Sequence, residues 1–287
     1  MKHNEKHGYP FIIPNTTASI RDGVSILIPT WNNLPYLKLC VDSLRRFSRL
    51  DNEIILHIND GSDGTLEYAK EEGLKYTHTK TNVGLCKGIN ECARLASKRF
   101  IIYFNDDMFA LPDWDREIDD FIVRHGIPDL FWACSMLIEG FGANPDFIAG
   151  SQYNFGRTPD TFDEARMIAR MDEMKKVSVG RAGTTWAPCL IPTEAWNQVG
   201  GFTEDFDKAG GFGSDPDLAK KMWDIGCRNY FSVPTSLTYH FGSIVTRRHS
   251  KDVATQSRPI FESIHGMSIE HFVNNILHRG REWKGVE

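Results

Sequence analysis

Val24-Ser-Ile-Leu-Ile-Pro-Thr-Trp-Asn32 is a short apolar run that stops on a polar loop, the pattern of a buried strand. The next segment changes period. Leu37, Cys40, Val41, Leu44 and Phe47 recur at helical spacing, opposite Lys38, Asp42, Arg45 and Arg46. Glu53 to Ile58 is a second strand, ending in the turn Asn59-Asp60-Gly61-Ser62. A short helix over Thr65 to Glu72, a strand over Leu74 to Thr79 and a helix over Gly84 to Lys98 follow. Phe100-Ile-Ile-Tyr-Phe104 then runs into Asn105-Asp106-Asp107. Strands alternating with helices imply βαβ units and a mostly parallel sheet. Ligands of such sheets sit at the carboxyl ends of the strands. Three of those ends here are polar: Pro29-Thr30-Trp31-Asn32, Asn59 to Ser62, and Asn105 to Asp107.

Around this core the composition narrows the function classes. The chain has 287 residues, 41% hydrophobic and 25% charged, enough to bury a core without covalent staples. A net charge of −5 provides no electrostatic footprint for a nucleic-acid binder. No apolar run approaches the ~20 residues of a membrane span, and residues 1–22 lack the apolar segment of an export signal. Cys40, Cys86, Cys92, Cys134, Cys189 and Cys227 form no C-x-x-C pair, and five lie in apolar or helical-looking stretches. That usage suits reduced cysteines in a cytoplasmic protein, and makes the sequon at Asn15-Thr16-Thr17 accidental.

The second half is less regular. It reads as a strand over Leu130 to Ile138, a Met-rich helix over Asp163 to Lys176, and a strand turning into a helix over Leu190 to Val199. A helix over Asp215 to Ile225, short strands at Tyr230 to Val233 and Leu237 to Phe241, and a helix over Pro259 to His278 complete it. We divide the chain into a polar arm (1–22), a continuous two-part domain (23–246, split near 110) and a helical extension (247–287).

Three features carry chemistry, each beside a plainer reading. Asp106 and Asp107 repel one another after a buried strand unless a cation or donors neutralise them, which suits a hard metal ion; a helix cap or exposed turn would also use two acids. Asp215, at a helix start, is either a cap or a general base for a hydroxyl. His240, ending a strand, is either a hydrogen-bonded imidazole or a metal ligand.

The succession of these features resembles inverting glycosyltransferases of family 2, which have the GT-A nucleotide-sugar fold. The resemblance spans Gly23 to Ser243. It rests on Val24 to Asn32, Ile58-Asn-Asp-Gly-Ser62, Asn82-x-Gly84 with Asn90, and Phe104-Asn-Asp-Asp107. Gly200-Gly-Phe-Thr-Glu204, Gly213-Ser-Asp-Pro-Asp-Leu218 and Tyr239-His240 continue it. It implies that Pro29, Thr30 and Trp31 form the first nucleotide loop, with Trp31 stacking on the base. Asp60 would accept a hydrogen bond from the base ring, Lys87 would neutralise phosphate, and Asp106 would sit by the ribose. Asp107 and His240 would hold Mn²⁺ or Mg²⁺, and Asp215 would be the base. The implied donor is a nucleotide sugar, UDP-linked by preference, and the acceptor a saccharide or glycoconjugate hydroxyl.

Two departures weaken the pattern. Asn105 opens the acidic triplet and Ser214 precedes the base, so two carboxylates are missing. They leave a non-catalytic nucleotide-sugar binder as an alternative. A nucleotidyltransferase is a further one, although Pro29-Thr-Trp-Asn-Asn33 lacks the glycines and base of such a loop. Acceptor recognition is expected in 139–185; Trp132, Phe141, Tyr153, Phe155 and Trp186, in and around it, could build a stacking platform, with a core role favoured for Trp132. For 247–287, packing on the domain, contact with an anionic membrane and dimerisation all remain open.

Overall fold

The computed structural model describes residues 17–142, 144–242 and 255–286. The first half realises the expected alternation: β1 (Ser25–Trp31), α1 (Leu34–Phe47), β2 (Glu53–Asn59), α2 (Thr65–Glu71), β3 (Lys75–Thr79), α3 (Leu85–Ala93) and β4 (Phe100–Tyr103). These four strands are parallel, in the order β3-β2-β1-β4. The chain winds outward from β1 in one direction and then returns to its other side at β4. A crevice opens at that reversal, between the carboxyl ends of β1 and β4. Every residue of β1 from Ser25 to Thr30 is buried, which is why it reads as a continuous apolar run rather than an alternating one.

The second half extends the same sheet. It comprises β5 (Met108–Ala110), α4 (Trp114–His125), β6 (Phe131–Glu139), β7 (Ile148–Ala149), α5 (Glu164–Ala169), α6 (Met171–Val177), β8 (Cys189–Pro192), α7 (Thr193–Val199), α8 (Ser214–Asp224) and β9 (Asn229–His240). The full order is β3-β2-β1-β4-β8-β6-β9-β5, with β7 beside β6. β8 runs antiparallel to both β4 and β6, and β5 antiparallel to β9, so the sheet is mostly parallel with antiparallel insertions. The antiparallel β5–β9 pair brings Met108 opposite His240, and thereby sets His240 next to the acidic strand end.

Several local readings change. The Met-rich segment is two helices broken at Arg170, because Met167 and Met174 face one small core while the chain between them turns. The two strands around Pro234 are a single strand, β9, whose pairing with β6 slips between Ser135 and Met136 to accommodate the residues around the proline. The terminal helix is α9 (Ser257–His265), ended by left-handed Gly266 and followed by a π-helical turn, His271–Ile276. Ala18 and Ile20 are fully buried, and Asp119 accepts from the Ile20 amide at 2.7 Å, so the arm joins the core from residue 17 onward. Residues 1–16 of that arm, Asn15 and Thr16 of the sequon and the 246/247 boundary lie outside the described residues.

Two apolar cores flank the sheet. The larger holds β1, β2, β4 and β8 against α1, α3 and α4, and buries all six cysteines as free thiols. The smaller one is built from Phe109, Met136, Ile138, Phe155, Tyr239 and Phe241. The stacking platform is therefore not realised. Trp132 is fully buried, Phe155 and Tyr153 belong to the smaller core, and Trp186 is buried with its indole N–H donating to Ser135 O at 3.0 Å.

Candidate active site

A cleft of about 420 Å³ opens at the β1/β4 reversal. Its walls include Pro29, Thr30 and Trp31 from the end of β1, Asn105, Asp106 and Asp107 after β4, and Gly210 to Gly213 with Asp215 at the start of α8. Residues about 190 positions apart in the sequence thus meet across one crevice. Asp60 and Lys87 do not line it.

Hydrogen bonds between loops hold the β1/β2 side of the cleft. The Asn32 amide donates to Asp60 at 2.9 Å and accepts from the Gly61 N–H at 3.0 Å, tying the ends of β1 and β2 together. Both Asn32 and Asp60 have positive φ, 44° and 65°, a conformation held only because the surrounding bonds determine it. The amide of Asn32, followed by Ser62, holds the Asp60 carboxyl below its ordinary range, so it stays ionised. Asn33, in the same loop, donates to Asp106 at 3.0 Å and fixes that buried carboxylate.

The phosphate role implied for Lys87 meets an obstacle. The amides of Cys86 and Lys87 at the α3 N-terminus already donate to Asp207, at 2.8 and 3.0 Å. Gly84 is needed here: its φ is 103°, and a Cβ would stand 2.2 Å from the Asp207 carboxyl carbon. The Lys87 ammonium lies 4.0 Å from Glu204. A protein carboxylate thus caps the helix end where an anionic ligand would otherwise bind. Asp207 escaped sequence reasoning because nothing local distinguishes it from neighbouring Glu204 and Asp205.

On the acidic side, His240 is buried, with Nδ1 2.6 Å from Glu139 and Nε2 3.5 Å from Asp107. Burial opposes its charged form, but the Asp107 and Glu139 carboxylates prevail and raise it to about 10. One ring nitrogen oriented by a carboxylate while the other faces an acid is how metal-binding imidazoles are commonly held. Among the described residues no three His, Cys, Asp or Glu side chains form a complete cage. The donor set therefore fits a divalent ion only with Asp107 and His240 as the protein ligands and a substrate's oxygens completing the shell. Glu139 was visible as the polar end of a strand, but only the fold brings it to His240.

The two acids of α8 separate clearly. Asp215 sits in the cleft with Oδ1 buried and without a hydrogen-bond partner. Desolvation raises its carboxyl to about 7, against a smaller lowering by Arg279. Asp217 is fully buried. Burial pushes its pKa up, but His265 Nε2 at 2.8 Å, Lys221 and the Thr203 hydroxyl at 2.7 Å bring it below its ordinary value. It is a clamp that holds α9 against the domain, so the described part of the extension packs on the catalytic body.

Comparison with known proteins agrees with this architecture. Residues 25–127 match the model of glycosyl transferase family 2. Over 100 residues the chain is 32% identical to EpsH of Bacillus subtilis (strain 168), provisionally classed as a glycosyltransferase; the match spans 33% of this chain and 29% of EpsH. The crystal structure of S. aureus TarS 1–349 superposes with a TM-score of 0.58 at 15% identity, covering 84% of this chain and 64% of that one. The mannosyltransferase PcManGT from Pyrobaculum calidifontis, solved with GDP-Man and Mn²⁺, gives 0.58 at 15% identity, over 94% of this chain and 72% of that one. The chain thus spans less than two thirds of EpsH and of TarS 1–349, and at 15% identity the structural likeness speaks for the fold. Residues 25–127 are thus similar to glycosyl transferase family 2, and the chain as a whole has a GT-A-like fold.

Proposed function

We propose that this chain is an inverting glycosyltransferase that moves a sugar from a nucleoside diphosphate to a hydroxyl of a saccharide or glycoconjugate acceptor, with Asp215 as general base. The observation that carries this reading is Asp215: a carboxyl in the cleft, raised to about 7, with one oxygen left without a partner. A base poised near neutral pH combines availability with proton affinity, which is what hydroxyl activation requires. Asp215 takes the proton as the acceptor oxygen forms its bond to the anomeric carbon. The bond from that carbon to the diphosphate oxygen breaks on the opposite face, and its electron pair leaves with the diphosphate. One displacement inverts the centre without a covalent enzyme intermediate.

Asp107 and His240 would hold Mn²⁺ or Mg²⁺, which supplies Lewis-acid compensation for the charge on the leaving diphosphate. Trp31 offers an indole face to the base, and Asp106, fixed by Asn33, supplies an acceptor for ribose hydroxyls. Asp60 stands outside the lining of the cleft but is ionised and tied to Asn32 beside Trp31; a base that reaches past Trp31 to it would find an acceptor for a ring N–H of uracil, and on that ground UDP-sugars are the preferred donors. TarS has been solved with UDP and with UDP-GlcNAc, and PcManGT with GDP-Man, so both bases occur on this fold. The reduced cysteines fit a cytoplasmic role in polysaccharide assembly. Among the described residues no helix is long and apolar enough to cross a membrane. The decisive experiment measures transfer and nucleotide binding together in Asp215→Asn. Retained nucleotide binding with turnover reduced roughly 10²–10⁴-fold supports base catalysis, and unchanged turnover refutes it.

A further inference from the structure

A second cleft, of about 700 Å³, lies on the other side of the α8 N-terminus. Pro216 lines it, while the preceding residue, Asp215, lines the nucleotide cleft, so consecutive residues of α8 border the two cavities, and Arg279 of the second acts on the Asp215 carboxyl. Arg181, Arg279 and Arg281 are among the residues that line it, together with Asp146 and Glu270. The carboxylates are already matched. Asp146 lies 3.3 Å from Arg279, and Glu270 lies 2.9 Å from Arg258. Arg181 reaches only carbonyl oxygens, of Gly280 at 3.4 Å and Pro145 at 3.2 Å, and its Nε is buried without a partner. Arg281 is exposed, and among the described residues neither it nor Arg181 is in a salt bridge. Two of the arginines that line this cleft, Arg181 and Arg281, therefore have no carboxylate partner among the described residues.

Such an arrangement has a chemical meaning. A guanidinium presents paired N–H donors in a plane that matches the oxygens of a phosphate or carboxylate. A neutral sugar hydroxyl would leave both charges unanswered. Resting on the glycosyltransferase reading for the identity of its neighbour, we propose that this cleft is the acceptor subsite and selects acceptors that carry an oxyanion, a phosphate or a carboxylate, held by Arg181 and Arg281. The anion anchors the acceptor in the second cleft while its hydroxyl reaches across Pro216 to Asp215.

The test is a binding measurement on the full chain that needs no turnover. Glucose, glucose 6-phosphate and glucuronate are titrated by calorimetry, and UDP is titrated separately by quenching of tryptophan fluorescence. At least one anionic sugar is expected to bind roughly tenfold or more tightly than glucose, and the tighter of the two names the anion. In Arg181→Gln/Arg281→Gln the preference is expected to vanish while UDP affinity stays at the wild-type value. Arg281→Glu, at an exposed side chain, serves if the double variant fails to fold, and it is expected to weaken the anionic sugar without affecting glucose. Equal binding of all three sugars, or an anion preference that survives these substitutions, overturns the subsite. Loss of UDP binding in the wild-type protein, with the anion preference intact, would instead overturn the glycosyltransferase reading and leave the anion site standing.

Discussion

Replacing Asp215 by Asn separates what this residue does for folding from what it does for chemistry. The folded protein holds the carboxyl at about 7 instead of 3.8 because ionising it in the cleft is unfavourable. The raised value means the folded state grips the proton more tightly than the unfolded chain does. Stability is therefore greatest below pH 3.8, falls as pH rises toward 7, and stays at the lower level above it. The gap corresponds to about 4 kcal/mol at pH 8 as a ceiling. The side chain is half-buried, and the amide is itself a polar group needing partners, so the net gain for Asn is about 2 kcal/mol. The cap of α8 is Gly213, with no side chain bonded to the helix end, so the exchange at Asp215 removes no cap and α8 is preserved. For a chain of this size about 2 kcal/mol raises Tm by roughly 4–8 °C. Thermal unfolding at pH 8 is thus expected to show the variant more stable than wild type, and at pH 4 the difference should close. Turnover at pH 8 should fall with kcat while nucleotide affinity holds, and the wild-type rate should climb with pH through about 7. Equal Tm values at both pH values, together with full activity, would refute both the buried-charge argument and the base assignment.

Asp217→Asn should behave in the opposite way, because Asp217 is the fully buried partner of His265 and Lys221. We expect a loss of about 3 kcal/mol in urea denaturation and little change in kcat for the folded fraction; a large kcat loss at unchanged stability would move the base two residues along α8. Asp107→Ala should abolish both the Tm increase and the rate stimulation that Mn²⁺ gives the wild type, and persistence of either would remove Asp107 from the metal site. His240, raised to about 10 without metal, stabilises the fold below about pH 6.5 and loses that contribution as pH rises through about 10. A cation must displace its proton, so calorimetry in buffers of different ionisation enthalpy should register close to one proton released per Mn²⁺ at pH 7.5; no release would mean that His240 is not a ligand. Calorimetry of UDP, dTDP and GDP should show the pyrimidine nucleotides ahead, and tight binding of GDP alone would defeat the role given to Asp60.

The amino-acid sequence determined most of the first half by itself. Strand and helix periods are local properties of the chain, and four strands alternating with helices over short connections leave a parallel, doubly wound sheet as the natural outcome. The carboxyl-end rule then located Trp31, Asp106 and Asp107 without coordinates, and their cleft lies where that rule puts it. The surroundings of the α8 acids were decided only by tertiary structure. Asp215 and Asp217 both read as acids of one helix start, and only the fold places one in a cleft with an unpartnered oxygen and the other against His265. The fold likewise capped α3 with Asp207, placed Glu139 on His240, and buried the aromatic residues that read as a sugar platform. Charge state, desolvation and hydrogen-bond satisfaction depend on atoms brought together across 100 or more residues, and no local pattern encodes which ones will meet.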